Sequence, residues 1–103
     1  MSRANALRGE ASLALAGQTV RLRPDFTALV AAEEEIGPLF ALVERAGDGR
    51  LALAELVALF WHCRDPTVAM DREAFAEAVA AAGLVACAPP LRILLGQILQ
   101  GRT

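Results

Sequence analysis

The sequence predicts an α+β fold that is mostly α: an N-terminal β-hairpin packed on four to five short helices. Three observations carry this. Residues 9–23 alternate apolar and polar side chains on either side of a Gly turn, the period-two pattern of paired strands. From about residue 25 onward, apolar residues recur at three- and four-residue spacing, as on amphipathic helices. Alanine is abundant while β-branched and aromatic residues are few, a composition that favours helix over strand.

Residues 1–7 are expected to be a flexible lead-in and 8–103 a single domain. In the hairpin, Leu13 and Leu15 share one face while Glu10, Ser12 and Ala14 share the other. In the second strand, Val20 and Leu22 point one way and Thr19, Arg21 and Arg23 the other. Gly17, inside Ala16-Gly17-Gln18, takes positive φ at little cost and suits a tight turn. A lone hairpin is marginal in water, so its leucine and valine face must lie on helices.

The first helix spans about 25–36. Pro24 or Asp25 opens it, Gly37 closes it, and Phe26, Leu29, Val30, Ala32 or Glu33, and Ile36 form its stripe. The second spans 38–46, with Leu39, Phe40, Leu42 and Val43 as its apolar side, and Gly47-Asp48-Gly49 breaks it. The third spans 52–63 on Leu53, Leu56, Val57 and Phe60, widened by Leu59 and Trp61. Asp71 caps a fourth over 71–82, with Phe75, Ala78, Val79 and Ala82 inward and Gly83 as its stop. A fifth follows Pro89-Pro90 and spans 89–100, with Leu91, Leu94, Leu95, Ile98 and Leu99 at helical spacing.

Composition narrows the function classes. The 103 residues carry a net charge of −2, and all ten basic residues are scattered arginines. No basic stripe is present, which argues against direct nucleic-acid binding. No apolar run approaches the roughly 18 residues of a membrane span. The N-terminus lacks the apolar core of a signal peptide, so a cytoplasmic location is the default expectation, with Cys63 and Cys87 as free thiols.

No catalytic set, cofactor motif or metal motif stands out. Glu44 to Glu55 has the outline of a calcium loop, with Gly49, Leu51 and Glu55 in place. Ala46, however, stands where an oxygen ligand is required, and a hard cation needs about 6–8 oxygens. His62 and Cys63 are adjacent, but neighbours on a helix diverge, and the spacing and fourth ligand of a zinc site are lacking. No phosphate loop or nucleophile elbow can be drawn. These readings favour a non-enzyme that needs no cofactor.

Two features suggest contact with another chain. Glu33-Glu34-Glu35 puts carboxylates near a helix C-terminus, where the macrodipole disfavours them. That face is either solvated and paired to Arg21, Arg23 or Arg45, or it meets a basic partner through Glu33 and Glu34. Phe60-Trp61 either fills the core, the favoured reading, or leaves a docking patch, and with Leu95 and Leu99 of the last helix it gives more apolar surface than an alanine-rich core needs. A homo-oligomer or a helix-binding groove would use the excess.

Arg8-Gly9-Glu10, Gly17, Leu22-Arg23, Phe26, Ala28-Leu29, Glu33 and Ile36-Gly37, in that order and spacing, resemble the N-terminal signature of the gene transfer agent family of small phage-tail proteins. The resemblance continues through Leu39 and Leu42, Arg64, Gly83-Leu84 and the leucine-rich C-terminal helix, over nearly all of residues 5–101. Phe60-Trp61-His62-Cys63 is bulkier than the family pattern, and loop 64–70 lacks its Ser/Thr cap. The resemblance implies a bacterial, prophage-like tail morphogenesis protein. Its role would be a tail assembly chaperone or adaptor for the tape-measure or major tail protein, acting in the cytoplasm. Alternatively it would be a tail-tube component incorporated in the phage-like particle. A degenerate calcium-binding module on residues 44–55 is the weakest reading.

Overall fold

The chain reverses direction once as a β-ribbon and then winds through five helices around the ribbon's apolar face. The computed structural model describes residues 10–100. The expected lead-in over 1–7, and Arg8-Gly9 of the family-like signature, lie outside the described residues. Strand β1 is Ala11–Leu15 and β2 is Gln18–Leu22. They pair antiparallel with Ala11 opposite Leu22, Leu13 opposite Val20 and Leu15 opposite Gln18. The turn holds two residues, Ala16 at φ 49° and Gly17 at φ 79°, the double positive φ of a type I′ hairpin. Glycine takes this conformation freely, whereas Ala16 pays a steric cost.

Helix α1 is Phe26–Ile36, α2 Leu39–Gly47, α3 Leu53–Cys63, α4 Arg72–Ala82 and α5 Leu84–Gln100. The ribbon lays Ala11, Leu13, Leu15, Val20 and Leu22 on the core and turns Ser12, Ala14 and Thr19 to solvent. Helices α4 and α5 pack on β1, α1 packs on α3, and α2 bridges α1 and α5. Phe60 and Phe75, both fully buried, fill the centre with Leu59, Leu94 and Val79. Small side chains hold α1 close to α3: Ala28 and Ala32 on one, Ala58 on the other, are all buried.

Besides Leu53, which heads the expected stripe of α3 yet is 46% exposed at its first turn, the structure departs from the sequence expectation in four places. Phe26 is 83% exposed instead of heading the stripe of α1. Asp25 sets the start of that helix, and the phase that buries Ala28 and Ala32 swings the first residue outward. Phe40, likewise expected inward, is exposed, because Leu39 and Leu42 hold the inner face of α2. Glu10, expected on the solvent face, is buried and meets Arg23 Nε at 3.1 Å.

The fourth departure concerns α5. It begins at Leu84, not at residue 89, and carries Pro89 and Pro90 inside it. Proline removes the bonds that residues 89 and 90 would give to Val85 and Ala86. The opening turn is tied instead by the Cys87 N–H to Gly83 O at 3.3 Å, with Cys87 and Pro90 buried. Gly83, at φ 89°, turns the chain by 110° between α4 and α5. Among the described residues, no single helix is long and apolar enough to cross a membrane.

Candidate functional site

Among the described residues, α3 contributes to two concavities. At its C-terminal end the chain leaves α3 in extended conformation at Arg64. Arg23 N–H donates to Cys63 O at 2.6 Å and Asp65 N–H donates to Arg21 O at 2.8 Å. The outer edge of β2 is thereby covered. Beside this join lies a notch of about 340 Å³ lined by Arg23, Asp25, Thr27, His62, Arg64 and Asp65 among others, with Cys63 at its floor.

Several polar groups of the notch have partners, while Arg64 Nε is buried without a hydrogen bond among the described residues. Asp25 accepts the Ala28 N–H at 2.9 Å and so caps α1. Asp65 accepts the backbone N–H and the hydroxyl of Thr67, which together hold its carboxyl below the usual range. The Arg64 guanidinium lies 3.3 Å from the centre of the Trp61 ring and donates to Trp61 O at 2.8 Å, a stacked cation–π arrangement. Burial first, then the charge of Asp25, pushes the Cys63 thiol up to about 12. At neutral pH it is a protonated core group and not a nucleophile.

His62 lines the notch but directs Nε2 to Glu35, 2.8 Å away. Glu35 also receives both terminal nitrogens of Arg72. Arg72 first and His62 second hold the Glu35 carboxyl at about 2. The partners foreseen for the acidic run were Arg21, Arg23 or Arg45. The end of α1 lies instead beside the last turn of α3 and the first turn of α4, where His62 and Arg72 stand. The Arg72 guanidinium offsets the unfavourable placement of acids at a helix C-terminus.

The other site residues singled out in the sequence are spread across the molecule. Phe60 is wholly enclosed and offers no surface. Trp61 is half-buried and packs edge-on against Phe75, with centroids 5.5 Å apart. Leu95 is half-buried and Leu99 is 55% exposed near the end of α5. Glu33 accepts the Leu39 N–H at 3.1 Å and so caps α2 from outside it, while Glu34 is exposed. Two of the three carboxylates of the calcium-like loop are held by arginines, Glu55 by Arg45 and Asp48 by Arg50. Among the described residues, no three His, Cys, Asp or Glu side chains gather to hold a metal ion. Cys87 lies apart from His62 and Cys63 and lines the second concavity.

That second concavity was missed by sequence reasoning. It is a cleft of about 180 Å³ between the opening turns of α3 and α5, lined by Leu51, Ala52, Leu53, Leu56, Leu84, Cys87, Ala88 and Leu91. No lining side chain is charged. Around it Leu53 is 46%, Leu84 67% and Val85 90% exposed. The signal that could have found it is Leu84-Val85 directly after the Gly83 stop, two large apolar residues read as loop. The chemistry available there is hydrophobic contact with another polypeptide.

A family model described as phage tail tube protein, GTA-gp10, matches residues 8–101. No curated protein and no solved structure matches the chain.

Proposed function

Because this match makes the chain a member of the GTA-gp10 phage tail tube family, we propose that it serves tail morphogenesis as an assembly chaperone or adaptor. Its client is a tape-measure protein, a long, apolar, helical chain that tail-tube subunits must enclose. The observation that carries this reading is the apolar cleft with Leu53, Leu84 and Val85 exposed around it. Contiguous exposed apolar side chains mark interaction sites, and an apolar groove between helices accepts the apolar face of a further helix. Covering such a face keeps an aggregation-prone client apart from other copies of itself. The role needs no covalent step. Co-expression with a tape-measure protein from the same phage-like particle tests the proposal. The expected result is higher tape-measure solubility and co-migration of the two chains on size exclusion. Unchanged solubility together with unchanged migration rejects the chaperone role.

The family description favours a second reading, in which the protein stays in the particle as a tube-associated component. Quantifying it in purified particles separates the two. Stoichiometric amounts support a built-in part, whereas a chaperone leaves before the particle is complete.

A further inference from the structure

We propose that the cleft between α3 and α5 is the docking site for an amphipathic helix of a tail partner, one whose Leu-sized stripe is bordered by carboxylates. The proposal rests on the assembly reading above and adds the place and chemistry of the contact. The cleft volume of about 180 Å³ falls below the roughly 300–1,000 Å³ of small-molecule sites. It suits inserted apolar side chains better than a cofactor.

Charge decides the kind of helix. The whole of α5 carries one charged side chain, Arg92, next to the lining residue Leu91, and no acid. Among the described residues Arg92 has no ion-pair partner. On the α3 side Glu55 is paired with Arg45 and Asp48 with Arg50. Leu84 opens α5 here and presents the positive end of its dipole, while the start of α3 already carries the Glu55 carboxylate on the Ala52 N–H. A chain of net charge −2 therefore offers a locally positive rim around an apolar floor, complementary to acidic side chains flanking leucines.

The wall of the cleft on α5 is short of backbone hydrogen bonds. Residues 84–88 lie between Gly83, at φ 89°, and the pair Pro89-Pro90. The two prolines withhold two helical hydrogen bonds from this turn. Leu84, Val85 and Ala86 are exposed ahead of buried Cys87 and Pro90, and buried Leu94 anchors the rest of α5.

The test uses the full chain. Val85→Asp and Leu53→Asp place acid in the rim at exposed positions, and Phe26→Asp does the same far from the cleft. Acid in the first turn of a helix is compatible with the fold, so thermal melting should stay near wild type for all three. Co-purified tape-measure protein should fall about tenfold for the two rim variants and stay unchanged for Phe26→Asp. Co-purification unaffected by the rim variants overturns the cleft while leaving the assembly reading intact. A second arm needs no client. Two synthetic helices of about 16 residues, alike except for Glu or Lys beside a leucine stripe, are titrated into isotope-labelled protein and followed by NMR. Shifts should centre on residues 51–56 and 84–91, with the Glu peptide binding about fivefold tighter and the gap closing in high salt. Equal or tighter binding of the Lys peptide, shifts centred elsewhere, or no binding of either peptide overturns the proposal. Shifts at the cleft in a protein whose wild type fails to co-purify with the tape-measure chain support the site and reject the assembly reading.

Discussion

The helices begin in two different ways. At α1 and α4 an aspartate precedes the helix and accepts a first-turn N–H, Asp25 from Ala28 at 2.9 Å and Asp71 from Ala74 at 2.8 Å. At α3 and α5 the preceding residues are Ala52 and Gly83, which have no side-chain acceptor to give. Each helix start exposes N–H groups that lack helical partners. Where the chain supplies an acceptor nearby, that end is closed. Where it does not, solvent or another molecule must supply one. These two starts face each other across the apolar cleft; that of α3 is closed in part, because Glu55 Oε1 accepts the Ala52 N–H, and that of α5 is open.

The contrast is sharpest between the core part of α3 and the opening turn of α5. Phe60 and Val85 are both large and apolar, yet one is fully buried and the other 90% exposed. Phe60→Ala should cost about 3–5 kcal/mol, through lost burial and the cavity left behind. In a domain this size that lowers the melting temperature by well over ~10 °C. Val85→Ala should change stability by less than about 0.5 kcal/mol. Urea denaturation of the two variants decides it, and a large loss for Val85→Ala would mean that the opening turn belongs to the core.

The caps give the next largest effect. Asp25→Ala and Asp71→Ala should each cost about 1 kcal/mol, read as a drop of roughly 4–8 °C in melting temperature. The reverse change finishes closing the start of α3. Glu55 Oε1 already accepts the Ala52 N–H at 3.0 Å, so Ala52→Ser would complete a capping box and add about 0.5–1 kcal/mol. If Ala52→Ser fails to stabilise while the aspartate variants destabilise, the start of α3 is already satisfied and the contrast breaks.

The same division explains what could be read from the sequence. Asp25, Gly37, Asp71 and Gly83 act on their own neighbours, so the bounds of α1 and α4 were legible within a residue. Gly17 placed the turn for the same reason. The buried stripe of α3 was legible because Leu56, Val57 and Phe60 repeat at helical spacing. The start of α5 was not. Two prolines look like a boundary, and only the burial of Cys87 and Pro90 explains a helix that passes through them. Phe26 and Phe40 were misplaced because hydrophobicity does not fix helical phase; contacts with α3 and the core do. The cleft was invisible because it forms only after the 110° turn at Gly83 brings Leu84 to Leu53. Arg72 as the partner of Glu35 was equally hidden, since it depends on how α1 and α4 meet.

A smaller effect lies in the hairpin, where one turn residue fits its conformation and the other does not. Ala16 sits at φ 49° beside Gly17 at φ 79°. Ala16→Gly or Ala16→Asn should relieve left-handed strain and stabilise the protein by about 0.5–1 kcal/mol. Gly17→Ala should do the opposite, although its Cβ would meet nothing within 4 Å, because the cost is one of backbone conformation. Melting curves of the two turn variants should move in opposite directions.

The smallest effect concerns the closed side of the molecule and its pH response. Arg72 and then His62 hold the folded Glu35 carboxyl at about 2 against an ordinary 4.5. The unfolded chain therefore takes up the proton first, so the stabilisation is fully present above about pH 4.5 and lost as pH falls toward 2. The Glu35 and Arg72 side chains are 37% and 42% exposed, so solvent screening keeps the gain under about 1 kcal/mol. Arg72→Ala should thus be weaker than wild type in urea at about pH 6, and its deficit should shrink by about pH 2.5 and in high salt. An equal deficit at both pH values would show that Arg72 acts by packing on α1 rather than by charge. Val85→Asp should show no such pH dependence if it places its charge in open solvent at the cleft. Should it destabilise the fold instead as pH rises through the carboxylate range, that turn is already occupied by the chain itself and is not free for a partner.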